Sequence, residues 1–103
     1  LYYLYNQEPE RIRQALSSFE KEGEIRFSQE EQVQTRRDFA SISIDQASTI
    51  KTIREVYKET EYVLDPHTAV GVAAAKRLRS NLAEGPTVCL ATAHPAKFPE
   101  AVS

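Results

Sequence analysis

A chain of 103 residues carrying 13 Lys and Arg against 15 Asp and Glu has room for about one ordinary domain of nearly neutral charge. Its 41% hydrophobic content, five tyrosines included, describes a globular sequence with a modest core, and three glycines and five prolines argue against disorder. A net charge of −2 without a dense basic run removes the electrostatic footprint that nucleic-acid binding needs. The longest apolar stretch, Ala69 to Ala75, is too short to span a membrane.

Leu1 onward lacks the flanks of a signal peptide, so the expected location is the cytoplasm. The single cysteine, Cys89, excludes an internal disulfide and sits in an apolar run where a buried, inert thiol is expected. There is no methionine, and the chain opens on the apolar run Leu1 to Tyr5, which reads as the middle of an element. The expectation is a processed product or an excised piece of a longer protein.

Glu8-Pro9 opens a helix in which Ile12, Ala15, Leu16 and Phe19 recur at helical spacing, and Gly23 closes it. Ser28 with Glu31 three residues later forms a capping-box pattern ahead of a polar surface helix over 29–37. Residues 39–44 alternate weakly, as a short strand would. Ser43 with Gln46 suggests another capping box before a helix carrying Ala47, Ile50, Ile53, Val56 and Tyr57 on one stripe and ending near Thr60.

Residues 62–64 are β-prone, and Asp65-Pro66 then combines an N-cap residue with proline at the first helical position. The helix that follows, Thr68 to Leu78, is rich in small apolar residues on nearly every side and is expected to pack against a sheet. After the Gly85-Pro86 turn, residues 87–91 form the continuous apolar run of a central parallel strand, and Pro95 restarts a helix through Ala96, Phe98 and Val102. The predicted class is helix-dominated α/β, a partial three-layer fragment with short strands near 39–44, 62–64 and 87–91. One C-terminal fragment is expected over 1–103, mainly helical over 1–60 and strand–helix–strand–helix over 61–103.

In open α/β sheets ligands bind beyond the carboxyl ends of strands, which selects two turns, Asp65-Pro66-His67-Thr68 and Thr92-Ala93-His94-Pro95. Each opens a helix whose free N–H groups favour an anion, although Thr and Asp at such places are often caps alone. His67 and His94 lack a third ligand for a metal, so no metal site is expected. Cys89 has no base placed beside it, and Glu30-Glu31 and Glu59 with Glu61 read as solvated charges.

The octets from Leu64 to Gly71, LDPHTAVG, and from Ala91 to Phe98, ATAHPAKF, resemble the C-terminal part of the threonine synthase family. The opening Leu1 to Tyr5 and the region of Phe39, Ile53 and Tyr57 are similar to the same family in the same order, so the resemblance covers nearly the whole chain. It implies a pyridoxal-phosphate enzyme of the tryptophan-synthase-β-like fold that converts O-phosphohomoserine and water to threonine and phosphate. In that fold a hydroxyl residue near the C-terminus meets the pyridine nitrogen, and Thr92 matches its position. His94 and Lys97 share that motif and are candidates for lining the site or binding phosphate, with turn shaping as the alternative. His67 and Thr68 are expected to give support from behind.

The family's Schiff-base lysine stands in an upstream Ser-Phe-Lys-Asp type motif beside a glycine-rich phosphate loop. Neither motif occurs here, Lys97 follows Pro95-Ala96, and Gly23, Gly71 and Gly85 are too scattered for such a loop. The polypeptide alone is therefore expected to be inactive and to complete its site with the N-terminal part of a longer chain. Two other readings remain open: a threonine-synthase-like phospho-lyase acting on a related phosphorylated hydroxyamino acid, and a non-catalytic module that binds another protein through exposed apolar residues.

Overall fold

Pro9 and Gly23 bracket the first helix as their backbone preferences require. In the computed structural model, which describes residues 1–102, α1 runs Pro9–Glu22, with Pro9 in the first turn and Gly23 in the left-handed region at φ 75°. The Gly23 N–H donates to the Phe19 carbonyl at 2.8 Å. Helix α2 runs Gln29–Asp38 and begins with the expected reciprocal cap: the Ser28 N–H donates to Glu31 Oε2 at 2.8 Å, and the Glu31 N–H donates to Ser28 Oγ at 3.2 Å.

These two helices lie in one compact unit, Leu1–Ala40. Its centre is Tyr5, which stacks on Phe27 with ring centroids 5.8 Å apart and lies under the Arg11 guanidinium at 4.5 Å. Arg11 also forks onto Glu31, with Nε to Oε1 at 2.8 Å and Nη2 to Oε2 at 3.0 Å, which ties α1 to the cap of α2. That hydrogen bond holds the Glu31 carboxyl below its ordinary pKa.

A second compact unit begins at Ser41. Helix α3 spans Gln46–Thr60 and helix α4 spans Pro66–Leu78; the two pack against each other. A 3-10 turn, Arg79–Asn81, extends α4, and a second, Pro95–Lys97, precedes the short α5, Pro99–Val102. The core of this unit is Ile53 of α3, Leu64 of the linker and Ala69 of α4, with Val56, Val72 and Val102 packed around them. Small residues let the helices approach: Ala69 is 0% exposed, and Ala73 is also buried.

Several expectations require correction. No strand is present among the described residues; 39–44, 62–64 and 87–91 are all irregular. A strand persists only when its N–H and C=O groups find a ladder, and no described segment supplies one. Consequently Val88 is 81% and Leu90 78% exposed, and Cys89 is exposed rather than a buried thiol. Helix α4 faces α3 instead of a sheet. The cap of α3 is Asp45, whose carboxylate accepts from the Ser48 N–H at 2.7 Å, not Ser43.

The buried face of α3 also includes Thr49 and Thr52, which lie outside the apolar stripe. Their hydroxyls donate to the carbonyls of Asp45 at 2.9 Å and Ser48 at 2.8 Å, so burial leaves no polar group unpaired there. Pro99 divides the expected C-terminal helix into a 3-10 turn and α5, because proline has no N–H to continue the first element.

Because Ala69 is fully buried in the core cluster, Ala69→Leu is expected to destabilise the second unit by about 1–3 kcal/mol through overpacking. A lowered urea midpoint by circular dichroism would register this, and an unchanged midpoint would show that the contact of α3 with α4 is looser than described.

Candidate functional site

The beginning of α4 is organised by one buried carboxylate. Asp65 is 2% exposed. Its Oδ2 accepts from the His67 N–H at 2.9 Å and from the Thr68 N–H at 3.3 Å, the paired N-cap bonds of a helix start. Its Oδ1 accepts from the Thr68 hydroxyl, which turns that side chain inward and buries it. His67 Nδ1 lies 3.1 Å from Asp65 Oδ2.

Burial pushes the Asp65 carboxyl up, but the hydrogen bonds from Thr68 and His67 outweigh it, and the group titrates below the ordinary aspartate value. It is thus ionised at neutral pH and can only accept hydrogen bonds. It follows that His67 Nδ1 carries a proton, donated to the carboxylate. The His67 side chain is nonetheless 63% exposed.

The His67 ring meets Phe98 edge-on, with centroids 5.1 Å apart. Phe98 closes the 3-10 turn by donating its N–H to the Pro95 carbonyl at 2.9 Å. The two octets singled out from the sequence are therefore in contact, through His67 of one and Phe98 of the other. A groove of about 400 Å³ lies alongside, lined in part by Thr49, Ile50, Pro66, His67, Val70 and Ala101.

The other expected residues lie on the second turn. His94 Nδ1 accepts from the Ala96 N–H at 3.1 Å, so His94 caps its own turn and the neutral ring carries its proton on the outward Nε2. Lys97 is exposed without an ion pair among the described residues. Thr92 precedes the turn, exposed, and its hydroxyl has no hydrogen-bond partner among the described residues. No group of three or more His, Cys, Asp or Glu among the described residues could hold a metal ion.

The octets stand among these residues, and the relatives of the chain share its course. Residues 68–103 match the family model described as threonine synthase, C-terminal. A threonine synthase of Pseudomonas aeruginosa is 38% identical over 102 residues, covering 99% of this chain and 22% of that protein. The chain belongs to the threonine synthase family. Schizosaccharomyces pombe threonine synthase is 37% identical over 90 residues, covering 85% of this chain and 18% of that protein. A crystal structure of pyridoxal-phosphate-bound threonine synthase from Brucella melitensis superposes with a TM-score of 0.79 at 33% identity, covering 98% of this chain and 21% of that one. The chain thus spans about a fifth of the length of these relatives.

The sequence singles out Thr92, His94, Lys97, His67 and Thr68, with Asp65 entering as the N-cap of its candidate turn and Phe98 as a residue of the second octet and the C-terminal helix. The available signal was Thr68 at the third helical position after Asp65, near enough to return its hydroxyl to the capping carboxylate.

Asp65→Asn keeps the shape but replaces one accepting oxygen by an amide donor. The variant is expected to lose about 1–2 kcal/mol at pH 7, the scale of a strong N-cap. Because the folded pKa of Asp65 is depressed, this advantage is complete above the unfolded value of about 3.9 and disappears as pH falls through the folded one. Thermal unfolding of both proteins from pH 7 to 2 checks this; a gap that persists at the acid end contradicts it.

Proposed function

We propose that the chain is the C-terminal part of a threonine synthase, residues 1–103 forming one portion of a longer cytoplasmic enzyme, and that it contributes one wall of a pyridoxal-phosphate site. The observation carrying this reading is the unpartnered Thr92 hydroxyl within an octet of the threonine synthase pattern, in a chain whose fold neighbour is a pyridoxal-phosphate-bound threonine synthase. The reaction is the conversion of O-phosphohomoserine and water to threonine and phosphate.

When bound, pyridoxal phosphate supplies an electron sink for carbanion chemistry. Thr92 fits as the partner of the pyridine nitrogen, because a hydroxyl can donate a hydrogen bond without imposing a full positive charge on the ring. His94 presents Nε2–H outward, and Lys97 presents an ammonium group; together they suit the substrate phosphate, where charge-assisted bonds are strongest. Thr68 and His67 act from behind through Asp65.

The longer protein must supply the Schiff-base lysine and the phosphate loop, since no Ser-Phe-Lys-Asp motif or glycine-rich loop occurs in these 103 residues. The isolated polypeptide is accordingly expected to release no phosphate from O-phosphohomoserine in the presence of pyridoxal phosphate. Release above the cofactor-only background would overturn that expectation.

In the full-length protein, Thr92→Ala is expected to weaken pyridoxal phosphate binding by about two- to tenfold, the span of one neutral hydrogen bond of roughly 0.5–1.5 kcal/mol. Titration of the cofactor-free enzyme with pyridoxal phosphate measures this. An unchanged Kd together with an unchanged cofactor spectrum would remove Thr92 from the site.

A further inference from the structure

The N-terminal cap of α4 is complete without the His67 ring. Asp65 already accepts from the N–H groups of His67 and Thr68 and from the Thr68 hydroxyl. The His67 side chain also gains little from burial, being 63% exposed. Yet its Nδ1–H is held by a carboxylate that is itself almost wholly buried, which fixes the ring at a surface position where a histidine would otherwise sample several rotamers. A cap bond does not require that orientation; the edge contact with Phe98 at 5.1 Å does.

Phe98 ends the turn that carries His94 and Lys97 and follows Thr92. This turn is held by short-range bonds: Ala96 N–H to His94 Nδ1, Lys97 N–H to the His94 carbonyl at 3.1 Å and Phe98 N–H to the Pro95 carbonyl. Residues 81–92 leading into it are exposed throughout and belong to no ladder among the described residues. Short-range bonds define the shape of a turn but not its place relative to α4. The contact of Phe98 with the His67 ring sets the turn against the start of α4, while Val102 of α5 seats the segment after it on the core.

We propose that His67 is a positioning residue: Asp65 orients its ring, the ring seats Phe98, and Phe98 thereby sets the position from which Thr92 reaches the pyridine nitrogen. This rests on the reading of Thr92 given above. His67 acts through Phe98 and touches neither cofactor nor substrate.

The test is a set of pyridoxal phosphate titrations on the cofactor-free full-length enzyme, using His67→Ala, Phe98→Ala and Thr92→Ala singly, and each of the first two combined with the third. His67→Ala and Phe98→Ala are each expected to raise Kd about two- to tenfold, the span of an aromatic edge contact, and to alter the cofactor's absorption or fluorescence as Thr92→Ala does. Neither should raise Kd further once Thr92 is alanine, a dependence that general destabilisation would not produce. If His67→Ala unfolds below the assay temperature, His67→Gln takes its place with the same expectation, since it keeps a donor for Asp65 but has no ring.

Losses that add to that of Thr92→Ala would overturn the proposal. So would a wild-type Kd for the His67 variant beside a raised Kd for Thr92→Ala, which would leave the reading of Thr92 intact. A wild-type Kd for Thr92→Ala would overturn that reading and the role of His67 with it.

Discussion

The second unit depends on an ionised carboxylate held out of water. Moving a charge from solvent into a protein is costly unless it is fully hydrogen-bonded, and Asp65 meets that condition with four donors from only two residues, His67 and Thr68. One side chain thereby starts α4, turns Thr68 inward and sets the tautomer of His67. Leu64 immediately before it and Ala69 four residues after it belong to the core cluster with Ile53, so the cap and the core are anchored by one short stretch of chain.

From that stretch the link to the second octet runs through ring contact rather than through the helix itself. His67 leads to Phe98, and Phe98 belongs to the turn holding His94 and Lys97. The hydrogen bonding assigns contrasting states to the two histidines: His67 is protonated at Nδ1 because it faces a carboxylate, and His94 is unprotonated at Nδ1 because it accepts an amide. Similar residue types at two helix starts therefore make different local bonds.

Much of the fold was legible where the cause is local. Pro9 and Gly23 at the two ends of α1, Ser28 with Glu31 at the start of α2, and Asp65 with Pro66 at the start of α4 act through local backbone chemistry, and all four ends stand where the sequence places them. The strands were misread because an apolar run such as 87–91 records a tendency to be covered, whereas a strand also needs a partner in space. Thr49 and Thr52 were overlooked for the opposite reason: their hydroxyls are satisfied by the preceding turn of helix, which lets polar residues share a buried face. At the candidate site, the octets single out Thr92, His94 and Lys97, but the link between the octets could not be read, since Phe98 and His67 lie 31 positions apart and meet only after folding.

The most direct test of the central role of Asp65 is its own titration, followed by carboxyl carbon NMR in protein labelled at aspartate and assigned with Asp65→Asn. The hydrogen bonds from Thr68 and His67 predict a midpoint below the ordinary aspartate value of about 3.9, with the amide signals of His67 and Thr68 moving in the same step. A midpoint at or above that value would mean that burial outweighs those bonds, and that the start of α4 and the contact of His67 with Phe98 do not rest on an ionised Asp65.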